Sequence, residues 1–294
     1  MKAPAVSDSD KPVVSDSDKN VPQAREATLP NGVFYRHWPA VGEPRAVLLL
    51  AHGLGEHSGR YQAFAEYVCA RGYALVAPDH VGHGRSPGHR AHIAGFSDFL
   101  GPLLQLRATI AGWYPGRPCF LVGHSLGGLI AARLLLQVQG QFAGAVLSAA
   151  ALQVPEPPAP ALLWLNRLLS RLWPTLGLLQ LDASQVSRDR SVVSAYEADP
   201  LVHHGKVSAR LVAEMFAAMA QVNQRCGELT LPLLLMHGES DVMTAPAGSS
   251  ALCAEVASTD KTLHLYPGLY HEIFNEPERE QVLGDLCTWL QARC

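Results

Sequence analysis

Two kinds of apolar pattern take turns along this chain. Runs rich in Val, Leu and Ala at 45 to 50, 73 to 77, 119 to 122 and 143 to 151 read as buried strands. Between them, at 61 to 70, 96 to 113 and 126 to 138, apolar residues recur three or four apart, the spacing of a helix with one buried face. Ahead of these, Asn31-Gly32 separates a run ending at Leu29 from Val33-Phe34-Tyr35, the signature of a hairpin. Strands that alternate with helices lie parallel in a sheet that the helices cover on both faces. The expected class is therefore α/β, with a mostly parallel sheet.

The alternation stops at Pro155-Glu156-Pro157-Pro158, and no convincing strand returns until 231 to 237. A helix at 247 to 256, a strand at 262 to 266 and a helix at 278 to 292 complete the pattern. This predicts a core built from residues 23 to 152 and 229 to 294, with a helical cap, or lid, inserted at 153 to 228. Within the insertion, residues 161 to 173 carry Leu and Trp on a wide face and Asn166, Arg167, Ser170 and Arg171 on a narrow one, and Pro174 stops the helix. Such a helix suits peripheral contact with a membrane; a cap helix packed on the core is the alternative.

Composition narrows the function classes. With 48% hydrophobic and 17% charged residues the chain is a folded protein that leans apolar, so an apolar ligand or surface is expected. Lys and Arg number 23 against 26 Asp and Glu, a net charge of -3 that leaves no basic excess for nucleic acid. No run reaches the roughly 18 apolar residues of a membrane span, and the first residues lack the apolar stretch of a secretory leader. Residues 1 to 22, where VSDSDK occurs twice, read as a disordered tail. Cys69, Cys119, Cys226, Cys253, Cys287 and Cys294 are scattered without paired spacing and read as free thiols, so a cytoplasmic protein, peripheral at most, is expected.

Gly123-His124-Ser125-Leu126-Gly127 fits G-x-S-x-G between a strand and a helix, where the sharp turn exposes a serine hydroxyl and glycines avoid collision. A serine needs a base, and the base needs a carboxylate to fix its tautomer. Asp241 ends the strand LPLLLMHGESD and His271 follows the strand TLHLYPG, in the order Ser, Asp, His and at the carboxyl ends where ligands bind in such sheets. Asp79 and Glu239 are rival carboxylates; Asp79 precedes the serine and reads as structural. The turn His52-Gly53-Leu54-Gly55 supplies an oxyanion donor at the Leu54 amide, with Leu126 as the second. His52 and His124 read as braces for these loops. His80, His83, His89 and His92 lack the spacing and carboxylates of a zinc site, so neither metal nor cofactor is expected.

With HGLGEHSGRY at 52 to 61, PDHVGHGRS at 78 to 86, GHSLGG at 123 to 128, then FAGAVLSAAAL, SAYEADPL, ESD and DKTLHLYPGLYH, residues 27 to 290 resemble the monoacylglycerol lipase family of α/β-hydrolases. The resemblance implies the α/β-hydrolase fold, with Ser125, Asp241 and His271 as catalytic triad and the Leu54 and Leu126 amides as oxyanion hole. It implies a glycerol pocket of Glu56, Arg60 and Tyr196, against the alternative that Glu56 and Arg60 form a local ion pair holding the oxyanion loop. The implied activity is a serine esterase of lipid metabolism that splits a small lipid ester, monoacylglycerol, to fatty acid and glycerol through an acyl-enzyme. Phe274 and Thr244 depart from the family's animal members, which carry His and Cys there. A lysophospholipase, a broad carboxylesterase, a peptidase on the same scaffold and a noncatalytic binder of this fold are the alternatives; a complete triad argues against the last.

Overall fold

The structure, a computed structural model, describes residues 23 to 294; the tail expected at 1 to 22 lies outside them. The hairpin at Asn31-Gly32 joins β1 (Arg25–Thr28) to β2 (Phe34–Trp38), with Arg25 opposite His37. Next come β3 (Ala46–Ala51), α1 (Gln62–Cys69), β4 (Tyr73–Pro78), α2 (Ser97–Trp113), β5 (Cys119–His124), α3 (Leu126–Val138) and β6 (Gly144–Ser148). After the insertion follow a strand at Leu233–Gly238, a helix at Pro246–Glu255, a strand at Lys261–Tyr266 and a helix at Arg279–Gln291. The insertion contributes α4 (Pro160–Leu172), β7 (Gly177–Leu179), α5 (Arg190–Ala198), β8 (Val207–Ser208) and α6 (Ala209–Arg225), which makes the later elements β9, α7, β10 and α8.

The eight-stranded sheet runs β1-β2-β4-β3-β5-β6-β9-β10; β2 is antiparallel to both neighbours and the remaining pairs are parallel. Side chains alternate across it, as the period of two in a strand requires. From β3, Val47 and Leu49 join a core with Phe99, Leu103 and Ile110 of α2 and Leu129 and Ile130 of α3. Ala46, Leu48 and Leu50 join a second core with Phe64 and Val68 of α1 and Leu283, Leu286 and Leu290 of α8. Central strands buried on both faces explain why their sequences read as continuous apolar runs.

Three expectations are corrected. The strand expected at 143 to 151 stops at Ser148, because Ala149 takes φ 45° and the chain turns to place the Ala151 amide 2.9 Å from the Ser125 carbonyl. Asp241 does not close its strand; β9 ends at Gly238 and Asp241 lies in the turn beyond it. The insertion holds a two-stranded ribbon, β7 with β8, of three and two residues, too short for a periodic signal.

In α4 the polar stripe is the one turned inward: Asn166 and Ser170 are buried, while Leu162, Trp164, Leu172 and Trp173 are 57 to 63% exposed. No helix among the described residues is long and apolar enough to cross a membrane.

Candidate active site

Ser125 stands between β5 and α3 with φ 56° and ψ −120°, a left-handed backbone that a residue with a side chain adopts only where its surroundings enforce it. The enforcement is visible in the glycines. A Cβ at Gly123 would lie 2.3 Å from the Gly127 carbonyl oxygen, and one at Gly127 would lie 1.9 Å from the Ala51 carbonyl oxygen. Strand and helix therefore close on each other across bare backbone, and the serine between them projects at the strand's carboxyl end.

Asp241 and His271 meet there from the loops after β9 and β10. His271 Nδ1 lies 2.7 Å from Asp241 Oδ2, and both side chains are buried. Asp241 Oδ1 accepts the Met243 and Thr244 amides at 2.8 and 3.0 Å; Oδ2 also accepts the Thr244 hydroxyl at 2.8 Å and faces His237 Nε2 at 3.1 Å. Burial opposes the carboxylate's charge, but the His271 charge and the donors from His237, His271 and the Thr244 amide outweigh it and hold Asp241 well below the usual carboxylate range. For His271 burial disfavours the imidazolium, yet the Asp241 carboxylate overcomes this and raises its pKa. The neighbouring His124 ring, centred 4.8 Å from that of His271, is pushed down to about 3, by burial first and then by His271. His124 is thus a neutral brace, hydrogen-bonded to Ser148 Oγ at 3.2 Å.

The rival carboxylates are occupied elsewhere. Asp79 is buried and accepts the Ser58 and Arg85 amides at 2.9 and 2.8 Å; Glu239 is exposed. The histidine-rich segment is structural as well. His52 Nε2 accepts the His80 amide at 2.9 Å while its Nδ1 bonds the Gly53 carbonyl at 2.8 Å, so both ring nitrogens are spent tying the loop after β3 to the loop after β4. Among the described residues no group of three or more His, Cys, Asp or Glu is placed to hold a metal.

Ser125, His271, Leu54, Glu56, Tyr196 and Glu272 line one small pocket, whose apolar side is formed by Leu181, Val186 and Met243. His271 is hydrogen-bonded to Asp241 but not to Ser125 Oγ; such nucleophile–base contacts tighten in the complex with substrate. Leu126 opens α3, so its amide is one of the helix-terminal donors without an intrahelical acceptor. Opposite it, the Leu54 turn is held by Glu56, whose Oε1 accepts the Gly53 amide at 2.6 Å and the Tyr61 hydroxyl at 2.7 Å.

Arg60 is where the structure departs most from a free head-group ligand. It bonds Glu56 Oε2 at 2.8 Å and clasps Glu272 with two nitrogens at 2.6 and 2.8 Å, while its guanidinium lies 4.6 Å from the centre of the Tyr196 ring. The local Glu56–Arg60 pair weighed from the sequence is present, and Glu272 extends it. Phe274, in place of the second histidine, packs against Phe64 with ring centres 5.0 Å apart.

Comparison with known proteins gives this geometry its relatives. Residues 42–278 match the family model described as "Serine aminopeptidase, S33". The chain is 41% identical over 258 residues to a monoacylglycerol lipase of Mycolicibacterium smegmatis, covering 88% of this chain and 92% of that protein. It belongs to the monoacylglycerol lipase family of α/β-hydrolases. Within that family the human monoglyceride lipase is 35% identical, over 89% of this chain and 87% of its own length. The crystal structure of the Paleococcus ferrophilus monoacylglycerol lipase superposes with a TM-score of 0.81 at 33% identity, covering 89% of this chain and 99% of that one.

His237 and Glu272 were not singled out from the sequence. A lone histidine ending an otherwise apolar strand, and a carboxylate adjoining the candidate base, were the available signals.

Proposed function

We propose that the chain is a serine ester hydrolase that splits monoacylglycerols to fatty acid and glycerol. Ser125 Oγ attacks the ester carbonyl as His271 takes its proton, and Asp241 stabilises the imidazolium formed. The oxyanion rests on the Leu54 and Leu126 amides, each donor lowering the barrier by about 3 kcal/mol. Glycerol leaves with the proton from His271. Water then enters, loses a proton to His271 and releases the fatty acid from Ser125.

The observation that favours a neutral head group is the charge of the cavity wall. Two carboxylates, Glu56 and Glu272, share one guanidinium, Arg60, whose charge they fully engage. A phosphate placed beside them would meet excess negative charge, whereas hydroxyl groups can donate to Glu56 and accept from Tyr196. Arg60 then serves as the brace that orients Glu56 and the Tyr196 ring. Rates on a panel of monoacylglycerols, lysophosphatidic acid, lysophosphatidylcholine and p-nitrophenyl esters test this. Preference for monoacylglycerol supports the proposal; a preference for the phosphate-headed lipids makes the chain a lysophospholipase, and equal rates on all make it a broad carboxylesterase.

The exposed apolar face of α4 supports peripheral contact with a lipid surface. Its Leu and Trp side chains would enter the apolar layer, and Arg167 and Arg171, both exposed, would lie toward lipid phosphates.

A further inference from the structure

His237 is wholly buried at the end of β9, and the mechanism above gives it no task. Its surroundings orient the ring. Nε2 faces Asp241 Oδ2 at 3.1 Å and the Thr244 carbonyl and hydroxyl, each at 3.3 Å; the carboxylate and the carbonyl can only accept, so this nitrogen carries a hydrogen. Nδ1 is hydrogen-bonded to the hydroxyl of Ser249 in α7 at 2.8 Å. A ring with both nitrogens hydrogen-bonded thus points one N–H at the oxygen that also receives the His271 N–H.

From this we propose that His237, set by Ser249, is a positioning residue for the acid–base pair. It fixes the rotation of the Asp241 carboxylate and limits how strongly that carboxylate draws the His271 proton. Of the five donors on Asp241, the two amides reach Oδ1; only the Thr244 hydroxyl and His237 compete with His271 for Oδ2. The Thr244 hydroxyl has a second acceptor 3.0 Å away in the Ala149 carbonyl, so its single hydrogen is divided between two claims. Loss of the His237 donor leaves Oδ2 more basic, which strengthens its hold on the His271 proton and raises the pKa of the base. The other groups around His271 are His124 from β5, the adjacent Glu272, and Glu56, with Arg60 bound to both carboxylates; none of them touches Oδ2 of Asp241.

The inference rests on the assignment of Asp241 and His271, not on the choice of lipid, so its test uses a soluble p-nitrophenyl ester. Asp241→Asn serves as the control whose activity must collapse if that assignment holds. The pH profile of kcat/KM and the melting temperature are measured for His237→Leu, His237→Gln and Ser249→Ala. For His237→Leu the acid limb should move to higher pH and kcat/KM near pH 7 should fall about tenfold, the loss of one hydrogen bond to a charged group. His237→Gln should restore both, because its amide nitrogen can donate to Oδ2. Ser249→Ala should move the limb in the same direction as His237→Leu by a smaller amount, since the hydrogen bond that orients the ring toward Oδ2 is lost. An unmoved acid limb in His237→Leu, with only the melting temperature lowered, overturns the proposal. If His237→Leu does not fold, an unmoved limb in Ser249→Ala overturns it, and a raised one supports it.

Discussion

Arg60 and Glu272, 212 residues apart in sequence, form a two-pronged ion pair at 2.6 and 2.8 Å beside the candidate base His271. Adding Glu56, one cation answers to two carboxylates at the wall of the pocket that Ser125 and His271 line. Removing one carboxylate should release the guanidinium toward substrate. Glu272→Gln is expected to raise the ratio of lysophosphatidic acid to monoacylglycerol hydrolysis by about tenfold. An unchanged ratio in a folded variant would mean that the wall charge does not select the head group.

The raised pKa of His271 has a direction that can be checked. A histidine acting as the proposed base does so in its neutral form, so raising its pKa moves the loss of activity to higher pH. The acid limb of kcat/KM should therefore fall above the ordinary histidine value of about 6.5. A limb at or below that value would show that burial outweighs Asp241 at this site.

Two glycine substitutions should act in opposite directions. Gly127→Ala drives a methyl into the Ala51 backbone and should cost about 3 kcal/mol of stability, with activity lost alongside. Gly101→Ala in α2 meets nothing within 4 Å and should add up to about 1 kcal/mol, because alanine favours the helix. Thermal or urea unfolding of both variants settles the comparison.

For α4, Trp164→Ser with Leu172→Ser removes two exposed apolar side chains without opening the core. Binding to phospholipid vesicles should weaken and the apparent KM for vesicle-borne long-chain substrate should rise, while the melting temperature and p-nitrophenyl ester turnover hold steady. Undiminished vesicle binding would assign this face to another role.

The parts of the molecule written locally were legible in advance. The helix at Leu126–Val138 was placed to the residue, because a continuous apolar strand, a glycine-flanked turn and an apolar helix follow one another without interruption. Long-range relations were not. Glu272 adjoins His271 in the chain, but nothing local says that its partner is Arg60, and His237 finds its purpose only through Ser249 and Asp241, from a helix and a turn that tertiary packing brings together. For α4 the pattern separated two faces but could not say which one points inward. The structure buries Asn166 and Ser170 and leaves Leu162, Trp164 and Leu172 exposed. An amphipathic period carries orientation only together with the assumption that apolar means inside.

The central claim, that Ser125 carries the acyl group of a monoacylglycerol, is tested most directly by glycerol release from a long-chain monoacylglycerol by the wild-type enzyme and by Ser125→Ala in the same vesicles. The account predicts rapid release by the wild type and a loss on the order of 10⁶ in kcat for the variant, with His271→Ala added to it costing little more. Glycerol release by a folded Ser125→Ala within about a hundredfold of the wild type would contradict it, since the oxyanion amides and binding alone fall far short of that rate.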